Sequence, residues 1–221
     1  MHELFVTERA RQAHPELVAA AQEHGARISP VTEQAAAGLS ETVTPQGIIA
    51  VCDLLDRPLA GLLAPGAGLV AVLVDVADPG NAGTVIRVAD AAGADALILA
   101  GDSVDPHNGK CVRASAGSLF HLPIARSRDV GAVLQECRAA GLRVLAAHGH
   151  AETELDSLDL TAPTAWLFGN EAHGLPAAIL RDADTAVRIP IYGAAESLNL
   201  ATAAAVCLYT GAMARRRSSG G

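Results

Sequence analysis

Aromatic residues and lysine are nearly absent from this chain. Its 221 residues include three Phe, two Tyr and one Trp, and Lys110 is the single lysine beside fifteen arginines, while alanine and glycine abound. This bias carries no functional weight. The four cysteines, Cys52, Cys111, Cys137 and Cys207, lie far apart, with no CxxC and no Cys/His cluster at ligand spacing. A reduced, cytosolic setting is therefore expected, and a disulfide scaffold or zinc site is not. No basic segment with an apolar run opens the sequence, and no uninterrupted apolar run reaches membrane-spanning length, so a soluble cytoplasmic protein is expected and membrane association is not.

Several catalytic signatures are missing as well. No G-x-G-x-x-G follows a strand to open a helix and no G-x-x-x-x-G-K-[ST] occurs, so dinucleotide and P-loop readings lack their phosphate cradle. No G-x-S-x-G marks a hydrolase nucleophile. His148-Gly149-His150 has no neighbouring carboxylates in a ligand pattern, and no metal is expected. The formal charge of −8 argues against broad, nonspecific binding to nucleic acid, whose affinity comes from phosphate contacts. Four basic and eight acidic residues precede Leu69, and twelve and sixteen follow, so a nucleic-acid site must rest on particular residues.

Half of the chain is hydrophobic, which at 22.5 kDa is ample for a core. The turn-rich, uncharged stretch LLAPGAGL (62–69) separates two textures, and a domain boundary is expected there, with domains over 1–65 and 69–217. Before it, ELFVTERARQ reads as a strand entering a helix, HPELVAAAQEHG as a helix ended by Gly25, ARISPV as a short strand and GIIAVCD as a buried strand. After it, near-continuous apolar strands at 69–76, 96–101, 122–126, 143–149, 164–170 and 186–192 alternate with helices NAGTVIRVADAAG, GKCVRASAGSLF, DVGAVLQECRAAG and PAAILRDA, and with a last helix from Ser197 to about Arg217. That last helix places Leu198, Ala201, Ala205, Leu208 and Ala212 on one face. The pattern predicts an α/β fold, a parallel sheet with helices on both faces.

Ligands of such sheets sit beyond the carboxyl ends of the strands, so the polar residues just after each strand matter most. Three places qualify: DVADPGNAGTVIR, with Asp75, Asn81 and Arg87; FGNEAHGL, a glycine-bounded loop with Asn170, Glu171 and His173; and IPIYGAAESLNLATAAAV, where Glu196, Ser197 and Asn199 open a helix. Each has an ordinary structural alternative. Asn81 and Ser197 suit helix N-caps, Asp75 a turn, Gly169 and Gly174 unusual dihedrals, Arg87 a solvated face and His173 a surface loop. Their joint occurrence favours one site built from three loops.

These three stretches closely resemble, in order, the signature motifs of the SpoU (TrmH-type) RNA ribose 2′-O-methyltransferases of the SPOUT superfamily, over about Leu69 to Ala214. The resemblance implies a C-terminal deep trefoil knot, S-adenosylmethionine (AdoMet) bound in the knot loops and a homodimer formed through the knot region. By motif position, it implies that Asn81, Arg87, Glu171, Ser197 and Asn199 form the catalytic or RNA-positioning set, with Glu171 placed to orient Arg87 or bind ribose. Gly169, Asn170, Gly174, Ile189, Ile191 and Leu198 become the cofactor-binding residues. Lys110, Arg113 and Ser115 are candidate RNA-backbone contacts. The N-terminal pieces HELFVTERA and VTPQGIIAVCD resemble the ribosomal-protein-like RNA-binding domain of the rRNA-modifying branch, with its opening strand and helix missing, so that domain is expected to be incomplete at its start.

The implied function is AdoMet-dependent methyl transfer to a ribose 2′-hydroxyl, with 23S rRNA favoured over tRNA as substrate. A noncatalytic RNA-binding or ribosome-assembly module that kept the knot is the alternative outside enzymes. An arginine stays protonated in proteins, so Arg87 is expected to act first as an electrostatic and positioning group.

Overall fold

The computed structural model describes residues 1–219 apart from Glu41 and Val43, and the chain divides into two units, Met1–Leu54 and Leu55–Gly221. The first contains β1 (Glu3–Thr7), α1 (Glu8–Ala13), α2 (Pro15–Glu23), β2 (Arg27–Val31), α3 (Glu33–Leu39) and β3 (Ile48–Val51). β1 lies in the middle, parallel to β2 and antiparallel to β3. Helix entry is set by threonines: Thr7 Oγ1 accepts from the Ala10 amide at 3.2 Å, and Thr32 Oγ1 from the Ala35 amide at 3.1 Å. Each satisfies an amide that the first helical turn leaves unpaired.

A thin core of Leu4, Val6, Ala10, Val18, Ala21 and Ala26 holds this unit. β3, expected to be buried, is an edge strand whose Ala50 and Val51 are exposed, because it has one neighbour. α3 has no counterpart in the sequence expectations. Its seven residues bury one side chain, Ala36, too little periodicity to signal a helix.

The second unit continues with β4 (Leu69–Val74), α4 (Pro79–Ala92), β5 (Ala96–Ala100), α5 (Gly109–Ser115), β6 (Ile124–Ser127), α6 (Val130–Ala139), β7 (Arg143–Ala147), β8 (Thr153–Glu154), β9 (Thr164–Phe168), α7 (Ala177–Asp182), β10 (Thr185–Arg188) and α8 (Leu200–Ser219). Seven strands pair in the order β6-β5-β4-β9-β7-β10-β8, and every pairing is parallel. Side chains alternate across the sheet. Leu69, Ala71 and Leu73 therefore join one core with α4 and α8, while Val70, Val72 and Val74 join another with α6. Both faces are covered, which is why β4, β5 and β9 are buried along their whole lengths and read as unbroken apolar runs.

The expected separator LLAPGAGL is not a free linker in the structure. Leu62 and Leu63 pack against the core on the α6 side, together with Leu59. Other boundaries shift for local reasons. The strand expected over 186–192 stops at Arg188, just ahead of Pro190, which has no amide to offer a ladder. The helix expected over 109–120 ends at Ser115, where Ala116 turns left-handed (φ 49°), and a single turn of 3-10 helix follows at Ser118–Phe120. The last helix starts at Leu200, three residues after Ser197, and its buried face carries Ala201, Ala204, Leu208 and Gly211. Among the described residues no helix is long and apolar enough to cross a membrane.

Candidate active site

The strand order reverses at β4, which has β5 on one side and β9 on the other. A crevice opens at such a switch point beyond the carboxyl ends of the strands. The loop after β4 and the loop after β9 both leave from there.

The first of them begins with Asp75 in the left-handed region (φ 54°), a conformation that Asp tolerates better than most residues. Its side chain is consumed in holding the turn, since Oδ1 accepts from the Asp102 amide at 2.8 Å. Its carbonyl accepts from Asn170 Nδ2 at 2.8 Å, which ties the β4 loop to the β9 loop. α4 then starts with Asp78 as its N-cap, accepting from the Asn81 amide at 2.8 Å, followed by Pro79, and it ends at Gly93 in the left-handed conformation. The capping role considered for Asn81 thus belongs to Asp78, and the Asn81 side chain is free for other partners.

The loop after β9 closes on itself. The Asn170 and Gly174 backbones exchange two hydrogen bonds, of 3.1 and 2.8 Å, while Asn170 Oδ1 accepts from the Ala172 and His173 amides. A side chain on Gly169 has no room, because its Cβ would fall 2.3 Å from the Gly174 carbonyl carbon. Close approach, more than dihedral freedom, requires this glycine. His173 lies exposed on the loop, as its ordinary alternative anticipates.

Three polar side chains from the three loops join in one chain of hydrogen bonds. Asn199 Nδ2 donates to Asn81 Oδ1 at 3.0 Å, and Asn81 Nδ2 donates to Glu171 Oε1 at 3.1 Å. The Glu171 carboxylate also accepts from the Ala77 and Asp78 amides, both at 3.1 Å. At its other end, Asn199 Oδ1 accepts from the Ala201 amide at 2.9 Å, so Asn199 is the N-cap of α8 and the capping role considered for Ser197 does not hold. Every donor and acceptor runs in one direction, which fixes the orientation of both amides. Partial burial works to raise the pKa of Glu171, but the hydrogen bonds from Asn81 and the backbone outweigh it, and the carboxyl is held below its ordinary value. Glu171 is therefore a fixed anion, poorly suited to carry protons at neutral pH.

Beside this chain lies an open cleft of ≈ 790 Å³, including its mouth, beyond the ends of β7, β9 and β10. All six expected cofactor residues line it: Gly169, Asn170, Gly174, Ile189, Ile191 and Leu198. Glu171 and Ser197 line it too. Sequence reasoning missed Phe168, Val187, Leu200 and Ala203, which complete the apolar walls, and did not assign His148 or Glu196 to the cofactor side. The missed apolar residues are strand ends and helix starts whose pattern says only "core".

The remaining expected residues fare differently. Arg87 is exposed on α4 and is not among the cleft-lining residues, and its side chain has neither hydrogen bond nor ion pair to any described residue. Glu171 makes no hydrogen bond or ion pair with it within one chain; its carboxylate accepts from Asn81 and the α4 entry instead. Lys110 pairs with Asp78 at 2.7 Å and lowers the pKa of that carboxyl, and Arg113 is exposed. Ser115 contradicts its expected RNA contact: it is fully buried, and its hydroxyl donates to the Val112 carbonyl at 2.7 Å. Its helix, α5, packs against α4, where Gly83 allows close approach, a Cβ there falling 2.3 Å from the Cys111 carbonyl oxygen. Burial pushes the thiols of Cys111 and Cys137 up to about 11 and that of Cys207 to about 12, which removes them as nucleophiles.

The family model of the SpoU rRNA methylases matches residues 68–209, and a model for RNA 2′-O ribose methyltransferase substrate binding matches residues 1–58. The chain is 38% identical to a 23S rRNA guanosine 2′-O-methyltransferase of Bacillus subtilis, over 85% of this chain and 73% of the relative. It is 43% identical to a 23S rRNA uridine 2′-O-methyltransferase of Streptomyces viridochromogenes, over 64% of this chain and 50% of that one. Among solved structures, an AdoMet-bound rRNA methyltransferase from Sinorhizobium meliloti matches with a TM-score of 0.84 at 35% identity, covering 98% of this chain and 80% of its own. The AdoMet complex of the SpoU methyltransferase AviRb from Streptomyces viridochromogenes matches with a TM-score of 0.85 at 32% identity, covering 99% and 84%. The chain belongs to the SpoU rRNA methylase family.

Proposed function

We propose that this chain transfers a methyl group from AdoMet to the 2′-hydroxyl of a ribose in 23S rRNA, in the cytoplasm. The observation that carries the reading is the hydrogen-bond chain Asn199–Asn81–Glu171, standing at the rim of a cleft that all six expected cofactor residues line. The cleft suits AdoMet chemically: apolar walls for a purine, with few ionisable groups. Ile189, Ile191 and Leu198 would hold the adenine, and the 169–174 loop would present backbone groups. The bound cofactor supplies an activated methyl.

The protein's own task is then orientation of the ribose oxygen in line with that methyl, which supplies several kcal/mol of the barrier reduction. Asn81 and Asn199 are locked in one orientation and positioned to bind the nucleotide, Ser197 offers a free hydroxyl at the cleft, and Glu171 holds Asn81. Arg87 carries an unpaired cation suited to a phosphate beside the target ribose and to the developing alkoxide. Arg113 and Lys110 are candidate backbone contacts, Lys110 after exchange of Asp78 for a phosphate.

A homodimer joined through a C-terminal trefoil knot belongs to this reading. Val206, Tyr209 and Met213 are exposed at helical spacing on α8, an apolar stripe that a second copy would cover. Such a dimer also offers a way to bring Arg87, absent from the cleft of its own chain, to a reacting ribose. The choice of rRNA over tRNA rests on coverage. The solved methyltransferases named above match over 98–99% of this chain, its N-terminal unit included, and the relatives named above act on 23S rRNA. The test is transfer of radiolabelled methyl from AdoMet to total RNA lacking the modification. Label that resists alkali at one 23S ribose, and is lost with Arg87→Ala, is expected; label in tRNA, or none despite AdoMet binding, overturns the substrate or the enzymatic reading respectively.

A further inference from the structure

Three side chains lining the cleft are ionisable: His148, Glu171 and Glu196. Glu171 is committed, both carboxylate oxygens accepting hydrogen bonds from Asn81 and the α4 entry. Glu196, in the loop between β10 and α8, is exposed at the cleft and has no hydrogen bond or ion pair to any described residue. Among the described residues, its carboxylate is the one uncommitted negative charge on the cleft wall.

The molecule assigned to this cleft changes charge in the reaction. AdoMet carries a sulfonium, an ammonium and a carboxylate, for one net positive charge. On transfer the C–S bond breaks, a C–O bond forms to the ribose oxygen, the hydroxyl proton passes to solvent, and the sulfur keeps the electron pair as a neutral thioether. S-adenosylhomocysteine, the product, therefore has no net charge but almost the same shape. Apolar walls and backbone hydrogen bonds cannot separate the two, whereas an uncommitted carboxylate can.

We propose that Glu196 is the residue by which the cleft distinguishes the cationic cofactor from its demethylated product, favouring entry of AdoMet and exit of the thioether. The proposal rests on the reading of the cleft as the AdoMet site. It predicts a preference that is Coulombic and therefore screened by salt.

The experiment is calorimetric titration of the full-length chain and of Glu196→Gln with AdoMet and with S-adenosylhomocysteine, at one fixed pH. Glu196→Gln is expected to weaken AdoMet about five-fold while leaving S-adenosylhomocysteine within about two-fold, as loss of one partly screened charge pair requires. Glu196→Asp, which keeps the charge, should retain most of the preference. Equal weakening of both ligands, or no change in either, overturns the proposal and leaves the site reading intact. Failure of the wild-type chain to bind either ligand overturns both.

Discussion

The N-terminal and C-terminal units use the same vocabulary of parallel strands and short helices, yet they differ in what their interiors can support. The first has three strands around six buried apolar residues, three of them alanine or valine on helices. The second has seven parallel strands with a core on each face. A sheet covered on both sides is rigid enough to aim three loops at one point, and the Asn199–Asn81–Glu171 chain stands at that point. A thin core offers no comparable frame, so the first unit contributes through its surface. That surface is acidic in sum, with three arginines against seven carboxylates over residues 1–54. Any grip on RNA there must come from local placement of groups such as Arg11, not from a general field.

The sharpest way to break the contrast is Gly169→Ala. The new methyl meets backbone, which cannot move aside as a side chain can, so the β9 loop must open; a loss of about 1–3 kcal/mol in stability and of measurable AdoMet binding is expected from thermal unfolding and calorimetry. Normal AdoMet affinity in that variant would mean that the loop geometry does not form the cleft. Leu4→Ala probes the other unit. Removing one of its few large buried side chains should cost about 2–4 kcal/mol, seen as early unfolding of the N-terminal unit by hydrogen exchange, with AdoMet affinity unchanged.

A smaller effect comes from acid. Because the folded pKa of Glu171 is lowered, its contribution to stability is complete above the ordinary carboxylate range and fades as pH falls through the folded value. The Tm difference between wild type and Glu171→Gln should therefore be a degree or two at about pH 7 and vanish on acidification, the small size reflecting solvent exposure. A difference that grew toward low pH would reverse the assignment. Least of all should Ser115→Ala matter to RNA. Its hydroxyl is buried against Val112, so RNA affinity measured by filter binding should stay within about 1.5-fold, with about 0.5–1 kcal/mol lost from stability.

Much of the second unit was legible because parallel strands buried on both faces announce themselves as apolar runs, and because Pro79, Gly169 and Gly174 mark the turns around the site. The six expected cofactor residues followed from motif order and all line one cleft. What was not legible depends on tertiary geometry. Nothing local to Asn81 says that its amide bridges Asn199 and Glu171, 118 and 90 residues away. Asp78 and Asn81 are both good N-caps, and only the backbone decides between them. Ser115 looks solvent-facing beside Lys110 and Arg113 until the fold buries it. β3 looked buried because its composition is apolar, whereas its burial depends on a second neighbour that the sheet does not provide.

The central claim is that the polar chain serves the reacting ribose while the cleft serves the cofactor. The most direct measurement is single-turnover methyl transfer and AdoMet affinity determined side by side for Asn81→Ala. A rate lowered about 100-fold with AdoMet affinity held within about three-fold is predicted, as for loss of a group that acts on the substrate in the transition state. Loss of affinity as large as the loss of rate would contradict the division and return Asn81 to a part in holding the cleft.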